Sequence, residues 1–283
     1  ATCGWAWAQH LGLDRLSVTP IPFPSAAPPF APAVAARRVR HWLEQYEGLA
    51  DAPGAVGPIP LITLRGHILS ADHSGSAHAE PLPRVTLTRD KILQGRDLTL
   101  YDHQLAAGAT PGSALLVAPT GTGKTEAALL WAARQAADSN APRLFYTLPY
   151  QASMNAMLRR LEATFGDQYV EIQHGRALLA TYRWLMEKGE LPENAARAAR
   201  ERGNLARLHY PPVRVFSPYQ MLKGMYRLKG YEAQLTDYHD GLFIFDEIHA
   251  YEVKRLALIL RTITYLRRHY NARFLVMSAT FPT

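Results

Sequence analysis

The segment Ala118-Pro-Thr-Gly-Thr-Gly-Lys-Thr-Glu126 has the residue types and spacing of a phosphate cradle. Gly121 and Gly123 let the backbone bend until its N–H groups converge on one point, with Thr120 and Thr122 between and beside them. An apolar run precedes the segment and a helical pattern follows it. A helix N-terminus therefore adds its partial positive charge at the same place. Lys124 is placed to reach the outer phosphates, and the Thr125 hydroxyl to ligate a magnesium ion. Ala118 occupies the small-residue position that opens the pattern.

Two further segments complete the chemistry. Leu242-Phe-Ile-Phe-Asp-Glu-Ile-His249 is an apolar run ending in two carboxylates. Ligands of open α/β sheets sit at the carboxyl ends of the strands, which puts Asp246 beside the phosphate loop. Asp246 suits a magnesium ion held through its water shell, and Glu247 suits the orientation and deprotonation of an attacking water. Met277-Ser-Ala-Thr-Phe-Pro282 ends another apolar run. Its Ser278 and Thr280 hydroxyls are candidates to bond His249 or the acidic pair and report the nucleotide state. The expected reaction is magnesium-assisted hydrolysis of a nucleoside triphosphate.

These segments need a frame. From about Leu98 onward short apolar runs alternate with helical stretches, the signal of a parallel sheet wrapped by helices. Strands are expected at Ala114–Ala118, Leu144–Leu148, Tyr169–Gln173, Val213–Phe216, Leu242–Phe245 and Phe274–Met277. Helices are expected at Lys124–Asp138, Gln151–Phe165, Ala177–Lys188, Tyr219–Leu228 and Val253–His269. In the last of these Leu256, Ile259, Leu260, Ile263 and Leu266 fall on one face. The upstream part is different. Val18–Ala36 is rich in Pro and Ala and reads as an extended connector. Arg37–Glu47 and Leu61–Ala71 are expected to be helical, with Asp51–Pro60 and Asp72–Arg84 irregular. The chain is therefore divided into residues 1–90, a mostly helical and irregular segment, and residues 91–283, the nucleotide-binding lobe.

Composition fits this division. A 48% hydrophobic content supports a sizeable core, and a formal charge of +7 with a sequence pI of 9.5 favours an acidic partner such as nucleic acid. Cys3 is the single cysteine, so an intrachain disulfide and a Cys-based zinc site are excluded and a cytoplasmic location is expected. No apolar run approaches the roughly 20 residues of a membrane span.

The order Gly-Lys-Thr, then Asp-Glu-x-His, then Ser-Ala-Thr resembles the helicases of superfamily 2, from about Leu98 to the end of the chain. The resemblance implies a RecA-like first lobe of a motor, a P-loop NTPase. It also implies roles that spacing alone does not give. Tyr101-Asp-His-Gln104 is similar to the adenine-reading segment, with Gln104 facing the base. Thr147-Leu-Pro-Tyr-Gln-Ala-Ser-Met-Asn155, His174-Gly175 and Ser217-Pro-Tyr-Gln220 are similar to motifs that bind the backbone of a single strand. Gln151, Asn155, His174, Ser217 and Gln220 are thereby implied as nucleic-acid contacts, and His249, Ser278 and Thr280 as coupling residues.

A narrower resemblance rests on Asp246-Glu-Ile-His-Ala-Tyr251 and Leu148-Pro-Tyr-Gln-Ala-Ser-Met-Asn-Ala-Met157, which are similar to the signature helicase–nuclease of type I CRISPR systems. Upstream, Leu64-Arg-Gly-His-Ile-Leu-Ser-Ala-Asp-His-Ser-Gly-Ser76 is similar to the end of an HD-type nuclease domain, in which Asp72 would ligate a transition-metal ion. The resemblance implies single-stranded DNA and an RNA-guided surveillance complex as partners, with no membrane. It places the remaining nuclease ligands before Ala1 and a second motor lobe, with its arginine finger, after Thr283. The chain by itself is then expected to hydrolyse nucleotide hardly at all. An RNA helicase, another superfamily 2 translocase and a non-catalytic P-loop binding module are the alternatives.

Overall fold

Apolar runs too short for helices form strands wherever both faces of the residue run can be buried. The computed structural model describes residues 58–76, 78, 83–94, 99–137, 143–173, 185–198 and 211–279, with positions 37, 40, 41 and 44. Its contacts divide the chain into two compact units, Ala1–Leu64 and Arg65–Thr283. In the first unit positions 37, 40, 41 and 44 are helical, as are residues 58–64. The expected connector Val18–Ala36 lies outside the described residues, as does most of the expected helix Ala177–Lys188.

The second unit holds a six-stranded parallel sheet. Its strands are β1 (Ala114–Val117), β2 (Leu144–Thr147), β3 (Val170–Gln173), β4 (Val213–Phe216), β5 (Leu242–Phe245) and β6 (Arg273–Ser278), in the spatial order β1-β6-β5-β2-β4-β3. β2, β4 and β5 are buried at every position, as interior strands of a sheet covered on both sides must be. β6 separates β1 from β5, so their carboxyl ends open on the same edge one strand apart.

The helices described from end to end are α1 (Pro58–Ser76), α2 (Arg89–Leu93), α3 (Asp102–Ala109), α4 (Lys124–Ala136), α5 (Gln151–Phe165), α6 (Pro218–Met225), α7 (Tyr231–Asp237) and α8 (Val253–Tyr270), and residues 185–187 and 192–198 are helical as well. Alternation along the strands gives the sheet two unlike faces. Leu144, Tyr146, Val213, Val215, Leu242, Ile244, Leu275 and Met277 share a core with α4, where Ala127, Ala128, Trp131 and Ala132 are fully buried. The small residues let the α4 backbone lie close to the strands. Trp131 and Gln135 then tie α4 to the turn before β1: Trp131 Nε1 donates to Gly112 O at 2.8 Å, and Gly112 N donates to Gln135 Oε1 at 2.7 Å.

The other face is aromatic. Phe145 stacks on Phe243 at 4.5 Å between centroids, Phe243 on Phe274 at 5.0 Å, and Tyr238 meets Phe145 edge-on at 5.1 Å. Arg214, fully buried on β4, lies over the Phe145 ring at 4.8 Å and pairs with Asp237, which also takes Arg143 Nε at 2.6 Å. Burial holds the Arg214 guanidinium well below its ordinary range, with Arg143 the second cause, and lowers Arg143 to about 10.

The helices α2 and α3 were not expected, and three of the expected helices differ in extent or buried face. α1 continues through Asp72 and His73 to Ser76, since those polar residues sit exposed on a helix whose prolines, Pro58 and Pro60, are confined to its first turn. α6 stops at Met225, and α7 follows as a separate helix after Gly230, whose φ of 85° breaks the run. On α8 the buried stripe is Ile259, Thr262, Leu266 and Tyr270, whereas Leu260 is 48% exposed. The inward face is thus rotated from the expected one, with a threonine taking a place in it.

Candidate active site

The turn after β1 is shaped by its two glycines, Gly121 at φ 81° and Gly123 at φ 73°. A side chain at Gly123 would collide with the Gln104 amide as well as strain the backbone. Gly123 caps α4, so the N-terminus of a 13-residue helix faces the loop. Lys124 curls back over this loop, its Nζ donating to Ala118 O at 2.9 Å and Pro119 O at 3.0 Å. Thr122 Oγ1 donates to Pro119 O at 2.8 Å. An ammonium resting on carbonyls at the loop's centre can exchange them for phosphate oxygens without moving far.

The acidic pair comes to the same edge from β5. Asp246 N extends the sheet by donating to Thr147 O at 3.0 Å. Glu247 follows in the left-handed region, φ 53°, which costs a non-glycine residue about 1–3 kcal/mol and here makes the sharp turn that keeps both carboxylates at the strand end. Asp246 is held on both oxygens: Oδ1 accepts Glu247 N at 2.9 Å and Oδ2 accepts the Tyr146 hydroxyl at 2.9 Å.

Tyr146 was not foreseen. It is fully buried on β2, and its hydroxyl interacts with both the Thr125 hydroxyl and Asp246. Burial first, then the Asp246 charge, pushes its ionisation well above the ordinary tyrosine range, so it stays a donor. The signal was available in principle: a tyrosine at a core-facing strand position needs a polar partner. Arg160 on α5 was also unforeseen. It pairs with Glu126 and lines the same cavity as Lys124.

That cavity has a volume of 460 Å³ and is lined by Thr120, Gly121, Gly123, Lys124, Thr125, Asp246, Glu247 and His249 among others. A larger one, 730 Å³, runs along Arg84–Arg89 and the distal ends of α3 and α4; it is lined by no carboxylate and does not include the phosphate loop. The smaller cavity carries the chemistry. Its Thr125 hydroxyl and Asp246 carboxylate, joined through Tyr146, are hard oxygen donors of the kind magnesium takes, with Lys124 nearby for phosphate. The residues present fit a magnesium nucleotide.

The other sequence-derived residues are placed as follows. Gln104 is 5% exposed, and its amide is engaged on both sides: Oε1 accepts Tyr101 N at 3.0 Å and Nε2 donates to Gly123 O at 3.1 Å. In this arrangement it clasps the phosphate loop. His103 assists, with Nε2 at 2.9 Å from Thr122 O. His249 Nδ1 lies 3.0 Å from Ser278 Oγ, which links the acidic segment to the end of β6. Gln151 is exposed in the first turn of α5, with Asn155 half-buried one turn on. Ser217 and Gln220 are half-buried at the start of α6. His174 and Thr280 lie outside the described residues. Asp72 is exposed on α1, and among the described residues no group of three or more His, Cys, Asp or Glu side chains is arranged for a metal ion.

Comparison with known proteins agrees with this geometry. The DEAD/DEAH box helicase family matches residues 90–283. The CRISPR-associated nuclease/helicase Cas3 of Methanothermobacter thermautotrophicus is 30% identical over 238 residues, covering 78% of this chain and 26% of that protein. Cas3 of Thermus thermophilus, named an endonuclease/helicase, is 33% identical over 196 residues, 63% of this chain and 21% of its own. The chain thus spans about a quarter of the length of the curated relatives it matches. Among solved structures, the ADP complex of T. fusca Cas3 superposes with a TM-score of 0.54 at 21% identity, over 87% of this chain and 28% of that one. With the phosphate loop, the acidic pair and the parallel sheet in one arrangement, the chain belongs to the DEAD/DEAH box helicase family.

Proposed function

We propose that the chain hydrolyses ATP in the cavity between β1 and β5 and drives movement along single-stranded DNA, in a protein that degrades DNA during type I CRISPR interference. The observation that carries this is the meeting of Lys124, Thr125, Asp246 and Glu247 at one cavity, with His249 bonded to Ser278 at its rim. Similarity to proteins named CRISPR-associated nuclease/helicases supports the biological setting.

In this reading Lys124 trades its loop carbonyls for phosphate oxygens. Thr125 and Asp246 would hold a magnesium ion, which when bound would neutralise charge on the phosphates. Glu247 accepts a proton from the attacking water. Gln104 and His103 keep the loop in shape, and the bond between His249 and Ser278 carries the state of the acidic pair to the sheet edge. Gln151, Asn155, His174, Ser217 and Gln220 contact the strand's backbone. Residues 91–283 form the ATP-binding lobe, while residues 1–90 hold a connector and the end of a nuclease domain, in which Asp72 would be one ligand of a transition-metal ion. An RNA-guided surveillance complex delivers the DNA, and the work is done in the cytoplasm, where ATP and invading DNA meet. Among the described residues no helix is long and apolar enough to cross a membrane.

Steady-state ATPase measurement on the complete protein tests this. Single-stranded DNA should stimulate turnover strongly and RNA of the same length should not. Equal or greater stimulation by RNA would replace the reading with an RNA helicase. Asp72→Ala should remove metal-dependent DNA cleavage and leave DNA-stimulated ATPase intact; unchanged cleavage would return Asp72 to a surface role.

A further inference from the structure

Two neighbouring strands end in the same three residues. β2 runs into Leu148-Pro149-Tyr150-Gln151 and β4 into Ser217-Pro218-Tyr219-Gln220. The strands pair in parallel with Thr147 opposite Phe216, and Leu148 N still donates to Phe216 O at 3.1 Å. Tyr150 lies three residues past Thr147, and Tyr219 three residues past Phe216. Each proline lacks an N–H, so the ladder ends there and the chain turns into α5 or α6.

Both tyrosines face solvent, Tyr150 at 56% and Tyr219 at 40% exposure, although large aromatic side chains usually bury most of their surface. Their surroundings are polar and cationic. The Arg255 guanidinium lies 5.7 Å from the Tyr219 ring centroid, and exposed Lys223 follows one turn later on α6. Half-buried Ser217 and Gln220 and exposed Gln151 complete the rim. A protein segment would seek a continuous apolar surface. Separate flat rings among amides and cations suit nucleobases on a charged backbone.

A second observation points the same way. Tyr251, five residues after Asp246, is 9% exposed, and its hydroxyl is buried with no hydrogen-bond partner among the described residues. Its ionisation is pushed up by burial first, then by Tyr219, Glu247, Tyr150 and Asp246. It is thus within electrostatic reach of both exposed rings and both carboxylates. A buried donor left unsatisfied inside a folded protein calls for an explanation, and a site completed by an outside partner is one.

We propose that Tyr150 and Tyr219 form a paired platform on which bases of a single DNA strand stack, next to the acidic pair. The proposal rests on the reading that the chain grips single-stranded DNA, and adds base contact to the backbone contacts of Gln151, Asn155, Ser217 and Gln220. Stacking tolerates any base, so the platform strengthens the grip without reading sequence.

The test compares an oligodeoxythymidylate with an abasic oligonucleotide of equal length and charge, binding to the complete protein by fluorescence anisotropy. The parent should bind the abasic strand about tenfold more weakly, the loss of one aromatic stack or more. Tyr150→Ala with Tyr219→Ala should erase the difference by weakening only the base-bearing complex, with the salt dependence kept because no charge is changed. Tyr150→Phe with Tyr219→Phe should retain it, which separates stacking from loss of fold. Equal binding of the two oligonucleotides by the parent, or a preference for bases that survives the double alanine substitution, would overturn the platform while leaving strand binding in place. Failure of the parent to bind either oligonucleotide would overturn the strand-binding reading and the platform with it.

Discussion

Two clusters of charge sit on this sheet, one at its carboxyl edge and one within its aromatic face. At the edge, Lys124, Asp246 and Glu247 line an open cavity, and the partners they hold are replaceable: loop carbonyls for the ammonium, one backbone N–H and one hydroxyl for Asp246. Under the aromatic face, Arg143 and Arg214 share Asp237, whose side chain is 6% exposed, and Phe145 covers the Arg214 guanidinium. In the second cluster burial holds the Arg214 guanidinium well below its ordinary range. A displaced ionisation here marks burial. Chemistry is marked by charge whose present partners a ligand can displace.

The contrast can be broken by exchanging the expected effects. Lys124→Ala should lower ATP turnover by roughly 10²–10³, as loss of a preorganised cationic donor does, while shifting thermal stability by under about 0.5 kcal/mol. Asp237→Ala should do the reverse. Two buried guanidinium groups would lose the carboxylate they share, at a cost of about 3–5 kcal/mol in denaturant unfolding, with nucleotide affinity retained wherever the protein is still folded. A Lys124 variant that unfolds early, or an Asp237 variant of parental stability, would remove the distinction.

Tyr146 sharpens it, since it is a buried group that serves the open site. Tyr146→Phe keeps the ring in the core and removes only the hydroxyl held by Asp246 and Thr125. Magnesium-dependent nucleotide binding should weaken about tenfold, as loss of a residue supporting a metal ligand does, with magnesium-free nucleotide binding unchanged. Titration of manganese by electron paramagnetic resonance in the presence of ADP reads this directly; parental affinity would leave Tyr146 a packing residue. The smallest effect is expected on α8. Leu260→Ser should change stability by under about 0.5 kcal/mol, against about 2–5 kcal/mol for Ile259→Ala, because only Ile259 faces the sheet. Comparable losses at both positions would contradict the observed helix face.

What the sequence made legible was contiguous chemistry. The phosphate loop and the acidic pair each need neighbouring residues in fixed order, so residues 118–126 and 245–249 announced themselves, and the strands that carry them followed from apolar runs. Tyr146 and Asp246 are 100 residues apart and meet only because β2 and β5 pair with Thr147 opposite Phe245, a fact of register that no local pattern encodes. Arg160 reached the cavity by the same route, through the placement of α5. Gln104 was implied to face a base by resemblance to an adenine-reading motif; that its amide also bonds Tyr101 and Gly123 depends on how α3 packs beside the phosphate loop. α7 was missed because it is seven residues long and begins after a glycine, leaving too little periodicity to detect. On α8 the apolar residues run nearly all round the helix, so periodicity alone could not choose between Leu260 and Thr262 for the buried stripe.

In the proposed reaction Glu247 activates water in a cavity where Lys124, Thr125 and Asp246 would hold the magnesium nucleotide. Glu247→Gln in the complete protein removes the base and keeps the side chain's size. Measured together on one preparation, ATP affinity by calorimetry should stay near that of the parent, and DNA-stimulated turnover should fall by roughly 10²–10⁴. Turnover near the parental rate, with ATP affinity intact, would contradict the assignment.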